Sequence, residues 1–195
     1  MGFFKNKRKA ETNSSKPSIK NPVDPPENAL QKILDDNLKN IKEKLGESSD
    51  IVIREIKLGK EGSVKAGIIY TDGLTDIKSL QDFITEIKML DHPQKTAETN
   101  LINDIKECAM TVGDIQDVSD FNRLFTTLLS GDTILLIDGY SHGLVIANKH
   151  WEERGVTEPT SQTLIRGPRD GFSENIRLNT ALVRRRIANP NLWIE

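Results

Sequence analysis

The apolar residues of this chain come in short blocks, none approaching the roughly 20 residues that a membrane-crossing helix needs. Some blocks have helical spacing and others read as strands. That mixture restricts the chain to an α/β or α+β fold. Leu30, Ile33/Leu34, Leu38, Ile41 and Leu45 recur every three or four positions, which predicts a helix over 27–45 stopped by Gly46. Ile77, Leu80, Phe83/Ile84, Ile87 and Leu90 predict a second over 76–90, ended by Asp91-His92-Pro93. A third covers 98–109 through Leu101/Ile102, Ile105 and Cys108. A fourth runs through Phe121, Leu124/Phe125 and Leu128/Leu129, with Ser119 as its N-cap and Gly131-Asp132 closing it.

Between these helices lie strands. Residues 51–58 alternate apolar and polar with a slip near Glu55, and 64–70 are more continuously apolar. The intervening Gly59-Lys60-Glu61-Gly62 predicts a hairpin. Asp72-Gly73 is a turn, and 114–118 reads as a short strand. Strands at 133–137 and 144–147 flank the loop Asp138-Gly139-Tyr140-Ser141-His142-Gly143, a second hairpin. The order is not the strict alternation of a doubly wound sheet. It predicts two small mixed subdomains, 27–110 and 111–160, each with a hairpin or small sheet packed by helices. Residues 1–26, rich in Lys, Asn, Ser and Pro, read as a disordered basic arm, and 161–195 as a loop and a final helix.

The net charge of −2 conceals an uneven spread. Residues 1–29 and 161–195 each carry +3, leaving −8 for the middle. Basic ends suit an anionic membrane surface. Nucleic-acid binding would call for net positive charge and interleaved aromatics, whereas this chain is acidic with 5% aromatics. Phe3-Phe4 is too short for a signal-peptide core, and Asn6 stands where a myristoylation signal wants Ser or Thr. The single Cys108 excludes an internal disulfide and a cysteine-cluster metal site.

The final segment carries most of the chain's individuality. A loop, Arg166-Gly167-Pro168-Arg169-Asp170-Gly171-Phe172, feeds a helix that ends in Arg184-Arg185-Arg186-Ile187. Ser173 is placed to cap that helix, and Glu174 suits its positive end. Phe172, Ile176, Val183 and Ile187 share one stripe, with Thr180 between them. Three consecutive arginines span most of a turn and point in different directions, so one can pack against the protein while two face lipid or a neighbouring subunit. Trp193 suits a membrane interface or a core edge.

This loop and helix, with Glu174 and Asn179, resemble the GerA family, the A subunits of spore germinant receptors. Tyr70-Thr71-Asp72-Gly73-Leu74 and Asp138-Gly139 also match it, and the resemblance runs from about residue 30 to the C-terminus. It implies two α/β subdomains ahead of membrane helices, and hence that this chain is the soluble N-terminal domain of a longer protein. The implied location is the spore inner membrane, with the domain facing the core. The implied partners are the B and C receptor subunits, a small nutrient germinant and further copies of the A subunit.

Other chemistry finds little support. Asp138, Ser141 and His142 are the residue types of a hydrolase triad, but they share one loop and lack the Gly-x-Ser-x-Gly elbow. His92, His142 and His150 have no metal-ligand spacing, and no Walker or Gly-x-Gly-x-x-Gly motif occurs. No catalytic residue, metal or cofactor is therefore expected. Candidate ligand or coupling residues are Arg166, Gly167, Pro168, Arg169, Gly171, Phe172 and Asn179. Candidate membrane or subunit contacts are Arg184, Arg185, Arg186 and Trp193. The alternative is a cytosolic small-molecule or nucleotide-binding enzyme.

Overall fold

A computed structural model describes residues 28–59, 62, 64–90, 98–109, 113–150, 172 and 174–195. In chain order the elements are α1 (Leu34–Leu45), β1 (Ile51–Leu58), β2 (Val64–Thr71), α2 (Ile77–Met89), α3 (Glu98–Ala109), β3 (Ile115–Val118), α4 (Phe121–Leu129), β4 (Thr133–Ile137), β5 (Gly143–Ile146) and α5 (Ile176–Arg186). The mixed α/β class expected from the sequence is the one observed. Both expected hairpins form: β1 pairs with β2 and β4 with β5.

The hairpins are not separate sheets. β2 pairs with β4 from Ala66↔Ile137 to Ile69↔Ile134, which makes one antiparallel sheet of order β1-β2-β4-β5-β3. The sheet therefore crosses the boundary expected near residue 110. The reason is burial. β4 is buried at all five positions and β2 from Ala66 to Thr71, so neither can stand at a sheet edge. A continuous apolar run of this kind marks a strand covered on both faces.

Helices supply the two covers. On one face, Leu34, Leu38, Ile41 and Leu45 of α1 and Leu124, Phe125 and Leu128 of α4 meet Ile69, Ile134, Leu136 and Val145. On the other, Leu80, Phe83 and Ile87 of α2 and Leu101, Ile102 and Ile105 of α3 meet Ile68, Leu135, Leu144 and Ile146. Cys108 lies half-buried against this second core, and burial pushes its thiol pKa up, which makes it a poor nucleophile.

Two helix starts differ from expectation. α1 begins at Leu34 because residues 28–30 are extended instead: Leu30 N–H donates to the Ser119 carbonyl at 2.9 Å, and Phe121 N–H to Asn28 at 2.9 Å. α4 is capped by Asp120, not Ser119; its carboxylate accepts the Arg123 N–H at 2.9 Å. The residue before α1, Ile33, has no capping side chain, and a distant residue does the work. Asp138, in the β4–β5 loop, accepts the Leu34 N–H at 3.0 Å, while Gly139 N–H donates to Lys32 at 2.8 Å. The Asp-Gly turn is thus a cap for a helix more than a hundred residues away. Asp138→Ala is expected to lower the unfolding free energy by about 1 kcal/mol in a urea titration, with Asp138→Asn retaining most of it.

Candidate functional site at the C-terminal helix

α5 docks on the corner where β1 begins and the β2–α2 turn passes. Its first turn is capped by Asn175, which accepts from Arg177 N–H at 3.0 Å and Leu178 N–H at 3.4 Å. The expected cap, Ser173, lies outside the described residues. The docking face is Arg177, Ala181 and Arg184, spaced four and three apart. Arg177 pairs with Asp72 at 2.8 Å near the surface. Ala181 sits against Gly73, where a Cβ would lie 2.9 Å from the Ala181 methyl. Gly73 also has φ of +79°, so both backbone angle and space require glycine in this turn.

Arg184 is the anchor. It was expected at a membrane or subunit interface, yet it is fully buried, at 0% exposure. Its Nε donates to Asp50 Oδ2 at 2.7 Å and its Nη2 to Asp50 Oδ1 at 2.9 Å, a two-pronged pair. The same guanidinium reaches the carbonyls of Asn189 at 3.2 Å and Leu192 at 3.0 Å, and Ser48 Oγ at 3.2 Å. Ser48 in turn donates to Asp50 Oδ1 at 2.6 Å and accepts from Ile194 N–H at 2.7 Å. Ser49 N–H donates to the Ile194 carbonyl at 2.7 Å. Trp193 lies across Gly46: a Cβ there would fall inside the indole, 2.2 Å from its nearest atom. The segment after α5 is therefore wound around one side chain. A planar fork of five N–H donors can take both carboxylate oxygens along with two carbonyls and a hydroxyl, which the three donors of a lysine ammonium cannot.

Sequence reasoning pointed to an arginine packing inward but not to Asp50 or Ser48, which lie 134 and 136 positions away in the chain. No local signal links them. Arg185 and Arg186 are exposed, Trp193 is half-exposed at 55% and Asn179 is half-buried. Phe172 is 74% exposed. The candidates Arg166, Gly167, Pro168, Arg169 and Gly171 lie outside the described residues.

A second polar cluster lies at the sheet end beside the α2 N-terminus. Asp132 is buried and takes the Lys149 ammonium at 3.3 Å. Its Oδ1, Thr133 Oγ1 and both amide atoms of Asn148 have no partner among the described residues. Burial pushes the Asp132 carboxyl above the usual carboxylate range, with Lys149 opposing. Among the described residues no helix is long and apolar enough to cross a membrane.

Comparison with known proteins places the chain in a family. Residues 39–195 match the model of the Bacillus/Clostridium GerA spore germination protein family. The chain belongs to that family. It is 33% identical over 159 residues to spore germination protein KA of Bacillus subtilis (strain 168), covering 82% of this chain and 29% of that one. It is 34% identical over 174 residues to spore germination protein B1 of the same organism, covering 83% and 33%. It also matches the crystal structure of the N-terminal domain of the A subunit of the Bacillus megaterium spore germinant receptor GerK3. That match has a TM-score of 0.69 and 34% identity, over 86% of this chain and 59% of that one. The GerA chain thus spans about a third of the length of these two relatives. Its homology to a germinant receptor domain supports a role in spore germination.

Two outcomes test the site. Arg184→Ala or Asp50→Ala leaves a buried charge unpaired and is expected to cost about 3–5 kcal/mol in equilibrium denaturation. Arg184→Met with Asp50→Leu, which leaves neither charge behind, is expected to recover much of that loss. For Asp132 the sign follows from its raised pKa. Just above about pH 4 the folded chain keeps a proton that the unfolded chain has released, so stability falls as pH rises. Asp132→Asn removes this slope, so the variant is expected to gain on the natural chain from about pH 4 toward neutrality. A difference that is flat with pH would contradict it.

Proposed function

We propose that this chain is the N-terminal domain of a spore germinant receptor A subunit, lying outside the membrane and acting as a non-enzymatic coupling element. In this reading it helps assemble the receptor with B and C subunits and with other A subunits. It passes a nutrient-driven change to a membrane part that follows it in the chain. The receptor lies in the spore inner membrane, the domain faces the core, and the exposed Arg185 and Arg186 lie toward anionic lipid or a neighbouring subunit. The nutrient germinant is sensed by this domain or by the complex it helps to build.

One observation carries the coupling role. The buried Arg184–Asp50 pair ties α5 and residues 189–194 to the start of β1, so a shift of the sheet corner moves whatever follows the tail. Coupling of this kind needs contacts that differ between two states, and a single buried ion pair holding three segments is suited to that.

The test uses the Arg184→Met/Asp50→Leu chain in the whole receptor in spores. The exchange preserves the core but deletes the guanidinium contacts to Asn189 and Leu192. Nutrient-triggered germination, followed by loss of optical density, is expected to slow at least tenfold. Receptor abundance by immunoblot and response to a nutrient-independent trigger are expected to be unchanged. Germination at the natural rate would remove the coupling role.

A further inference from the structure

β1 forms one edge of the sheet. One step beyond the Ile51↔Thr71 pair, Asp72 N–H donates to the Asp50 carbonyl at 2.7 Å. Antiparallel pairs alternate between bonded and non-bonded, so residues 52, 54, 56 and 58 turn their backbone groups toward β2. Residues 51, 53, 55 and 57 turn theirs outward. The start of that outer row is already used: Ile51 N–H donates to Ser48 at 3.0 Å, and Ser49 N–H to Ile194 at 2.7 Å. Ile53, Glu55 and Lys57 have no ladder partner on this side among the described residues. Glu55 and Lys57 are exposed and make no ion pair among the described residues. Within the sheet Glu55 stands opposite Gly67, which has no side chain, and Lys57 opposite Lys65, a like charge.

A row of open N–H and C=O groups is matched by an extended strand, and charged side chains along a sheet edge usually keep strangers off it. Here the charges leave one register open. We propose that β1 pairs antiparallel with β1 of a second copy of this chain, about a two-fold axis at Ile56. Each Glu55 then lies opposite Lys57 of the other copy, and the two Ile56 side chains meet at a non-bonded pair, where strands approach closest. Sliding one strand by two residues either way sets Glu55 against Glu55 or Lys57 against Lys57. Sliding it by four toward the strand start sets Arg54 against Arg54. Registers nearer still to the start run into the bonds already made by Ile51 and Ser49. A groove of about 450 Å³ between α1 and β1 makes the same selection. Asp35, Glu43, Glu47 and Glu55 line it against Lys39 and Lys42, so it is net acidic and suits the Lys57 ammonium of the second copy. The two-fold axis makes every favourable pair twice. This contact gives a surface to the self-association in the proposed function and rests on that part of it alone. The coupling role of Arg184 and Asp50 stands or falls separately, by germination rate.

Strand-edge pairings are small interfaces, so sedimentation equilibrium of the 195-residue chain, from about 1 µM to about 1 mM, is expected to show a dimer half-formed at tens of micromolar. Glu55→Lys or Lys57→Glu alone is expected to weaken it at least tenfold. The two together restore opposite charges across the axis and are expected to return the affinity to within about threefold of the natural chain. Both positions are exposed, so the melting temperature of each variant in dilute solution is expected to stay within about two degrees. Amide exchange locates the contact. The N–H groups of Ile53, Glu55 and Lys57 are expected to exchange severalfold more slowly in the concentrated sample, with those of α5 unchanged. A chain that stays monomeric across this range overturns the proposal. So does a dimer that survives both single reversals, that the double reversal fails to restore, or that leaves the Glu55 and Lys57 amides unprotected, because another face then holds it.

Discussion

The pairing of β2 with β4 is the contact on which the rest of this molecule depends. Each strand belongs to its own hairpin, and each is too apolar to end a sheet. Brought together they close the ladder from Ala66↔Ile137 to Ile69↔Ile134 and bury both faces of the sheet centre. Only then do α1 and α4 have a common surface to cover, and α2 and α3 another. The capping of α1 by Asp138 follows from the same pairing, because it brings the β4–β5 loop beneath a helix from the other end of the chain. Pairings of such long separation cost loop entropy before they return any burial, so the two-faced core has to form cooperatively with them.

The corner that receives α5 is built on different physics. Here burial of apolar area is small, and the hold comes from a desolvated charge pair whose remaining donors are satisfied by backbone carbonyls and a serine. Such a pair adds modest net stability compared with a well-packed apolar replacement, but losing one partner is expensive. It therefore specifies position more than it adds strength. Gly73 contributes by leaving room for Ala181, which lets the helix approach close enough for the guanidinium to reach Asp50.

Much of the fold is legible in the residues. Helical spacing located α2, α3 and the body of α4 within a residue or two, and both hairpins were visible as apolar runs around Gly-rich or Asp-Gly turns. The expected two subdomains came from reading hairpins as local units, since periodicity reports how a strand is buried and not which strand lies beside it. The start of α1 slipped because Leu30 is apolar at the right spacing yet is spent on an extended pairing with Ser119. At the site, the stripe through Ile176, Val183 and Ile187 was legible, but its use was not. The helix turns its small and charged residues inward, which reverses the usual reading of an amphipathic pattern.

By itself the sequence determined the mixed class, the helix and strand inventory, the acidic body with basic ends, and, through the Arg166–Phe172 loop and the Arg184–Ile187 run, the family. Local spacing and short motifs suffice for these because each is written within a dozen or so residues. The single sheet, the remote cap on α1 and the pairing of Arg184 with Asp50 were decided only by tertiary structure. Each joins residues that are far apart in the chain, and a buried arginine and an exposed one are the same letter until a carboxylate arrives to meet one of them.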